Sequence, residues 1–330
     1  MTTARTGWFD SIRAPWLIVM ASFLFATMGV CVKLASVQYA PGEIVFYRGL
    51  LGAMMMTALA RWHGGTLRSP VPAMHFWRSL CGVTALCLWF YSIGKLPLAT
   101  AMTLNYLSAV WMALFLVGSA ALAGRGRVDR RLILTVLVGF AGVALILRPT
   151  IEQQQLGYGL VGLLSGVLAA AAYLQVMALG RIGEPEYRVV FYFSIGGICA
   201  GALTLLGTGM HAHSVHGVIL LIAIGALATV AQLLLTRAYR TGSPLVNASL
   251  QYLAIAFAFG YGVLLFGEHV TPLAFLGMLL IVIAGLCATR LRSAALAPAS
   301  QFASAPARPA SRASLATLPR RSEPLAAPAD

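Results

Sequence analysis

Three charged side chains stand within otherwise apolar stretches of the chain: Glu43, Arg48 and Glu268. A charge at the centre of a bilayer costs about 2.5–3.5 kcal/mol on translocon scales, so each one needs a reason to be there. Arg48 lies about 10 Å along a helix that starts at Pro41, deep enough to face a central cavity. There it would bind an anionic group or pair with an acidic residue. The alternative is a structural ion pair or a tilted helix that carries it to the headgroups. Glu43 and Glu268 are candidate coupling carboxylates because a carboxylate can carry a proton.

Uncharged polar residues on two other apolar stretches form a second group of candidates. Within each stretch they are three or four positions apart and share one helix face. Each set lies about 10–14 Å from the end of its helix, near the midplane of a bilayer. We expect them to line a cavity; interhelical hydrogen bonding, worth about 0.6–2 kcal/mol each, is the alternative. The set comprises Asn105, Tyr106, Ser108, Asn247, Gln251 and Tyr252. Trp89 joins them as a ring that can stack on a solute, although packing and interface belts are more frequent uses of tryptophan.

The sequence contains no motif for covalent or metal chemistry. It has no nucleophile–base set and no His-Glu-x-x-His pattern for an intramembrane enzyme, and no Walker motif for an ATPase. The five cysteines lie inside apolar runs without metal-ligand spacing. We therefore expect a carrier with no catalytic residues, no metal and no cofactor. An intramembrane enzyme or a channel without a recognised motif is the alternative.

The composition requires a bilayer around the chain. Of 330 residues, 59% are hydrophobic and 10% are charged, whereas soluble domains average about 45–50% and 25%. The mean hydropathy is +0.84. The net charge of +14 sits in short clusters between apolar runs, not on a long polar face, so nucleic acid is not an expected partner. The expected partners are the bilayer and a small-molecule substrate.

Ten apolar runs, separated by basic or turn-forming clusters, predict ten transmembrane helices. About 20 residues cross the roughly 30 Å hydrocarbon core. Several runs begin at proline, which suits the first turn of a helix. The predicted helices are 16–37, 41–60, 75–94, 97–122, 132–147, 157–179, 187–206, 215–236, 244–266 and 272–289.

Basic residues are distributed unevenly between the two predicted sides. One side would hold Arg5, Arg13, Arg61, Arg68, Arg125, Arg127, Arg130, Arg131, Arg181, Arg237 and Arg240. The other side holds only Lys95 and Arg148 near the membrane. An even number of crossings places both termini on one side, and the positive-inside rule makes that side cytoplasmic. The predicted location is the bacterial inner membrane.

The two halves of the chain echo each other. Pro97-Leu98-Ala99 and Asn105-Tyr106-Leu107 in predicted helix four match Pro244-Leu245-Val246 and Gln251-Tyr252-Leu253 in helix nine. Each repeat has five helices. Because five is an odd number, the second repeat enters the membrane from the side opposite to the first. Such inverted repeats are typical of secondary transporters, whose substrate sites lie near the midplane.

These features resemble the EamA family of the drug/metabolite transporter superfamily. The resemblance covers roughly residues 16–290 and also includes segments 23–33 and 43–48, Leu265-Phe266-Gly267-Glu268, and the helix from Gly277 to Gly285. One departure is the missing acidic residue after helix four, so a role for that position carries over to Glu268 alone.

The family implies an all-α integral membrane protein with ten transmembrane helices as two inverted five-helix repeats. It also implies transport of a small organic solute of the amino-acid, nucleoside or drug-like class. We expect a cytoplasmic N-terminus at 1–15, repeats at 16–149 and 150–290, and an Ala/Pro/Ser/Arg-rich disordered tail at 291–330. Neither the solute nor the oligomeric state follows from the sequence.

Overall fold

The computed structural model describes residues 14–122, 131, 134, 137–139, 141–142, 145, 155–242, 247, 250–269, 271–284 and 286–287. Predicted helix five, 132–147, is described at only seven of its residues, all of them helical. Nearly all of the N-terminal segment 1–15 and the tail 291–330 lie outside the described residues. Within the described part, helices are joined by turns and loops and no strand occurs. The expectation of an all-helical chain is confirmed for the described residues.

Ten helices are defined along the described chain. They are α1 Ala14–Ala35, α2 Pro41–Trp62, α3 Pro72–Lys95, α4 Leu98–Tyr106, α5 Ser108–Leu122, α6 Leu156–Arg181, α7 Glu186–Thr208, α8 Val215–Thr241, α9 Leu253–Phe266 and α10 Pro272–Ala284. Six of them (α1, α2, α3, α6, α7 and α8) are long and apolar enough to span a bilayer, and α9 and α10 are shorter apolar helices. Ten complete crossings stay a prediction.

Local sequence explains where several helices begin and end. Pro41 and Pro72 occupy the first turns of α2 and α3, where a missing N–H leaves no backbone bond unmade. Ser214 caps α8, its hydroxyl accepting the Gly217 N–H at 3.0 Å. Gly267, with φ 59°, ends α9 in the left-handed conformation that favours glycine.

Helix pairing is regular across the bundle. The most extensive contacts join α2 with α7, α1 with α8, and α3 with α6, and α4 packs on α6 and α9. A Cβ on Gly49 would lie 2.7 Å from the Ser194 carbonyl oxygen of α7, so the α2–α7 approach requires glycine there. Close packing at small residues is how apolar helices associate when lipid is as apolar as their side chains.

Two predicted helices are interrupted near their centres. The prediction of one continuous helix over 97–122 is wrong, because α4 ends at Tyr106, Leu107 is a turn residue and α5 begins at Ser108. The prediction over 244–266 is wrong in the same way, with the turn at Tyr252. At both points the next bond spans three residues, from Val110 N–H to Leu107 O at 2.9 Å and from Ile255 N–H to Tyr252 O at 3.0 Å. Hydropathy does not detect such a change of hydrogen-bond register, because the residues on both sides are equally apolar.

The two ends of the bundle differ in charge. One end, called the arginine end, carries the 62–72 and 182–186 connections, and Arg188 Nε of α7 donates to Thr66 O at 2.7 Å there. The opposite end, called the lysine–histidine end, carries the 35–41, 208–215 and 266–272 connections. Gln38 Nε2 donates to Ala212 O at 2.7 Å across it. This charge separation follows the predicted alternation.

Candidate functional site

A cavity inside the bundle, called the arginine cavity, brings together seven helices and both halves of the chain. It leaves about 50 Å³ in which a water molecule can be centred. Its lining residues are Phe25, Arg48, Arg78, Gly82, Ala85, Leu86, Trp89, Asn105, Tyr106, Ala169, Ala172, Tyr173, Phe193 and Gln232. It is too small for an organic solute unless helices move apart.

Two arginines dominate the cavity. Arg48 of α2 is 4% exposed and Arg78 of α3 is 3% exposed. Both lie against the ring of Phe193, with Cζ–centroid distances of 5.0 Å for Arg48 and 4.1 Å for Arg78. The two Cζ atoms are therefore no more than about 9 Å apart. At an effective dielectric constant of about 20, two such charges repel by about 2 kcal/mol or more.

No described carboxylate neutralises this pair, because each carboxylate is engaged elsewhere. In the described part of the chain, Glu43 and Glu184 contact histidines, Glu186 pairs with Arg240, and Glu268 pairs with Lys33. Buried charges in proteins are normally paired. Two buried and uncompensated guanidiniums in one cavity are therefore a feature that packing alone does not explain.

Several hydrogen-bond donors that line the cavity have no partner within the described part of the chain. They are Arg48 Nε, Arg78 Nε and Nη1, Trp89 Nε1 and Gln232 Nε2. Asn105 differs, since its Nδ2 donates to Ser165 Oγ of α6 at 3.0 Å. A buried donor without an acceptor costs about 1–3 kcal/mol. The cavity can therefore bind additional hydrogen-bond acceptors.

Aromatic rings form another part of the wall, beside small and aliphatic side chains. Trp89 meets Tyr106 edge to face, with ring centroids 6.4 Å apart. Tyr173 stacks on Tyr239 at 5.9 Å. These rings give the cavity flat, apolar surfaces beside its charged groups.

The sequence-predicted site residues divide into two groups. Arg48, Trp89, Asn105 and Tyr106 line the cavity, whereas Ser108 is buried but not among the lining residues. Their roles in binding a solute stay predictions.

The second-half candidates lie behind the cavity wall. Gln251 Oε1 accepts the hydroxyl of Tyr239 at 3.1 Å, and Tyr239 stacks on the lining residue Tyr173. Asn247 Nδ2 donates to Ala238 O of α8 at 2.5 Å. Tyr252 is buried at the helix interruption. The structure thus brings the first-half candidates together at the cavity and leaves the second-half ones outside it.

Glu268 joins three segments at the lysine–histidine end. One of its oxygens accepts Lys33 Nζ of α1 at 2.5 Å, and both accept the Leu98 N–H, at 3.0 and 2.9 Å. Lys33 also donates to Leu96 O at 2.8 Å. The carboxylate therefore caps the N-terminus of α4, where the helix dipole favours a negative charge. This group is called the Glu268 cluster.

Glu43 is fully buried at the same end of the bundle. Its Oε2 lies 2.8 Å from His211 Nδ1, and its Oε1 lies 3.6 Å from His213 Nε2. The chain between α7 and α8 therefore folds over α2. Pairing with two histidines explains how this carboxylate is accommodated without reaching water.

Glu184 plays the corresponding role at the arginine end. Its Oε1 lies 3.1 Å from His75 Nε2 and 3.5 Å from Arg188 Nη1. Burial raises the pKa of Glu184, but hydrogen bonds from Ser69 and His75 and the charge of Arg188 outweigh burial and lower it below its ordinary value. The ionised carboxylate thus stabilises the contact between the 62–72 and 182–186 connections.

Sequence reasoning missed Arg78, Phe193, Tyr173 and Gln232. Arg78 stands four residues into predicted helix three, close enough to its end to suggest a headgroup contact. The observed α3 begins at Pro72, which places Arg78 nearly two turns inside. A basic residue more than one turn inside an apolar run was the available signal. The other three residues carry no charge and have no local signature.

An apolar helical bundle with a cavity lined by charged and polar groups in its interior defines a multi-pass membrane protein of the transporter class. Residues 12–148 match the EamA-like transporter family. The pseudopaline exporter CntI of Pseudomonas aeruginosa is 32% identical over 276 residues, covering 84% of this chain and 95% of the relative. An uncharacterised transporter of Helicobacter pylori is 25% identical over 280 residues, covering 82% of this chain and 92% of the relative. The chain belongs to the EamA-like transporter family.

A solved crystal structure has the same fold. It matches with a TM-score of 0.62 at 19% identity, covering 86% of this chain and 99% of that chain. The expectations of an EamA-type, multi-pass transporter and of a protein that is not an enzyme are confirmed by the family and the relatives.

Proposed function

We propose that this chain is a secondary exporter of a small organic metabolite, of the amino-acid, nucleoside or drug-like class, that works by alternating access in the bacterial inner membrane. The observation that carries the proposal is the arginine cavity, which has five buried donors without a partner among the described residues and walls from both halves of the chain. The outward direction rests on the printed function of the Pseudomonas aeruginosa relative, an exporter.

The proposed architecture is ten transmembrane helices in two inverted repeats, 16–149 and 150–290. Two-fold symmetry would exchange each helix of the first repeat with its counterpart in the second. It would map the α1–α8 contact onto the α6–α3 contact and the α2–α7 contact onto itself, and these are the most extensive contacts present. The interruptions after Tyr106 and at Tyr252 occupy corresponding places. Such symmetry supports two states, in which the halves exchange conformations and the cavity opens to opposite sides.

Contacts at both ends fit the closed cavity. The Glu268 cluster ties α1 to α4 at one end, and Arg188 ties α7 to the 62–72 connection at the other. Opening of the cavity toward either side of the membrane would break the contacts at that end and leave those at the other end intact. We place the termini and the arginine end in the cytoplasm, as the positive-inside rule predicts.

Counterflow in proteoliposomes tests the proposal. Purified protein would be reconstituted with a labelled panel of amino acids, nucleosides and organic acids inside and out. A carrier gives saturable exchange that an unlabelled solute on the far side accelerates, whereas a channel gives neither effect. Absence of exchange for every solute, with the protein shown to be folded, would refute the carrier.

A further inference from the structure

We propose that the solute carried by this protein bears two carboxylates, which are bound together by Arg48 and Arg78 across the ring of Phe193. This inference rests on the proposed function and names the substrate class of the same cavity. It adds Arg78 as a binding residue, together with Trp89 and Gln232 as further donors.

The first argument is charge. Both guanidiniums are buried almost completely, and no described carboxylate pairs with either. Their positive charges add within one cavity, because both groups contact the same phenyl ring. A cationic solute would be repelled there, and a neutral one would leave both charges uncompensated. A solute with two negative charges neutralises the cavity.

The second argument is hydrogen-bond type. Every unpartnered buried side-chain atom that lines the cavity is an N–H donor, five in all among the described residues. A carboxylate offers only acceptors, with about four lone-pair positions on its two oxygens. Two carboxylates can therefore satisfy all five donors, whereas a protonated amine, which has no lone pair, accepts from none of them.

The third argument is geometry. Arginine presents a planar fork that matches the two oxygens of a carboxylate. The Cζ atoms are at most about 9 Å apart, the sum of their distances to the Phe193 centroid. A short carbon chain between two carboxylates spans such a gap. Planar carboxylates also suit a narrow cavity walled by the flat rings of Phe193, Trp89 and Tyr173 better than bulkier tetrahedral anions do.

Gly82 gives this arrangement its room. A Cβ on Gly82 would collide with Arg78 Nη1 and would lie 3.0 Å from Phe193 Cε2. Glycine at this position therefore lets the Arg78 guanidinium fold back onto α3 beside the phenyl ring. We expect Gly82→Ala to displace Arg78 without changing the charge of the cavity.

Binding to purified protein in lipid nanodiscs tests the proposal through a set of matched probes. Succinate, glutarate and adipate vary the distance between two carboxylates. Glutaramide and 1,5-diaminopentane both keep the five-carbon skeleton of glutarate. Glutaramide is uncharged, whereas 1,5-diaminopentane carries two positive charges. The shift of the thermal unfolding midpoint, followed by intrinsic fluorescence, gives an apparent Kd for each. We expect saturable shifts from at least one dicarboxylate and none from the neutral or the cationic probe.

Variants assign the effect to the cavity. Arg48→Gln and Arg78→Gln should each raise the Kd of the best dicarboxylate by about 10- to 100-fold, as expected for loss of a charge-assisted contact. Gly82→Ala should weaken binding with both arginines present. Arg61→Gln is the matched control, since Arg61 is exposed at the end of α2 and should leave the Kd unchanged. The midpoint of each empty variant shows that it is folded.

The proposal is overturned if no dicarboxylate shifts the midpoint, if glutaramide or 1,5-diaminopentane acts as strongly as glutarate, or if binding survives in both glutamine variants. Failure of the carrier function gives a different pattern. In that case dicarboxylates bind and the arginine variants weaken that binding, but no solute of any charge exchanges in proteoliposomes. Conversely, neutral solutes could exchange saturably and at the same rate in wild type, Arg48→Gln and Arg78→Gln. That result would support the carrier function and contradict the proposal of a dicarboxylate solute.

Discussion

At the scale of single residues, the main feature is that two buried charges have no partner among the residues that the structure describes. Arg48 and Arg78 each have at least one nitrogen that is buried and unbonded. The ring of Phe193 compensates only in part, since a cation–π contact is worth about 0.5–2 kcal/mol. The empty protein therefore keeps two unfavourable groups in its core, and this unfavourable energy is available to a ligand that supplies acceptors.

The first prediction concerns stability without ligand. Arg48→Gln and Arg78→Gln should each raise the free energy of unfolding by about 1–3 kcal/mol, because each removes a buried and uncompensated charge. Thermal unfolding in nanodiscs measures the change. Arg61→Gln, at the exposed end of α2, should shift the midpoint little. A lower midpoint in both cavity variants would mean that the arginines hold the bundle together.

The second prediction concerns Glu184 and pH. Its pKa is lower in the folded protein than its ordinary value of 4.5, so the ionised form stabilises the fold. That contribution is complete above the ordinary pKa and is lost as the pH falls through the lowered one. Glu184→Gln should therefore be less stable than wild type at pH 7, and the difference should shrink below pH of about 4.5. Unfolding midpoints of wild type and Glu184→Gln, measured from pH 7 to below a pH of about 4.5, test this prediction. A difference between the two midpoints that does not change with pH would exclude a role for the charge.

At the scale of elements, the interrupted helices and the capped end of α4 belong together. The Glu268 carboxylate holds the N-terminus of α4, and α4 ends one residue before the turn at Leu107. The element between them carries Asn105 and Tyr106 into the cavity. The Glu268 carboxylate and the turn at Leu107 thus fix the two ends of the short helix that presents these side chains.

The third prediction is that Glu268→Gln loosens the start of α4. Glutamine keeps the shape but removes the charge that binds Lys33 and the Leu98 N–H. Backbone hydrogen exchange over residues 96–100 should accelerate about 5- to 100-fold, the equivalent of about 1–3 kcal/mol of lost local stability. Glu186→Gln, which removes the pair with Arg240 at the arginine end, is the control and should leave this segment unchanged. Equal exchange in both variants would show that Glu268 does not hold α4.

Sequence reasoning predicted the elements better than it predicted the site. The long helices follow from runs of about 20 apolar residues, and their ends agree with the structure to within five residues. The breaks at Leu107 and Tyr252 were not predicted, because a turn among apolar residues leaves the hydropathy unchanged. Arg48 was identified because its charge stands alone in an apolar run. Phe193 and Gln232 were not, since their importance depends on contacts between helices that are far apart in the sequence.

At the scale of the whole molecule, charge separates the two ends of the bundle, and the proposed repeat would relate its two halves. Arginines gather at one end, and Lys33 with His211 and His213 marks the other. This asymmetry predicts the orientation, because basic residues near the membrane are retained in the cytoplasm. The pairing of helices concerns movement instead, since in the proposed mechanism it would let two similar halves adopt two alternative arrangements.

The fourth prediction assigns the two ends to the two sides of the membrane. In a background without the five native cysteines, Arg61→Cys should react with a membrane-impermeant maleimide only after the cells are opened. His211→Cys should react in intact cells. Both positions are exposed, so access to the reagent depends on the side and not on burial. The reverse pattern would invert the proposed topology.

The paired guanidiniums have an electrical consequence. A membrane voltage acts on every charge in its path, at about 2.3 kcal/mol per elementary charge for each 100 mV. If the cavity opens alternately to the two sides, as proposed, each change moves the voltage drop past Arg48 and Arg78. With a doubly negative occupant the moving site is neutral and indifferent to voltage, whereas the empty site carries two positive charges. The return of the empty carrier is then the step that the cell's membrane potential drives or resists, and it should appear as a transient current.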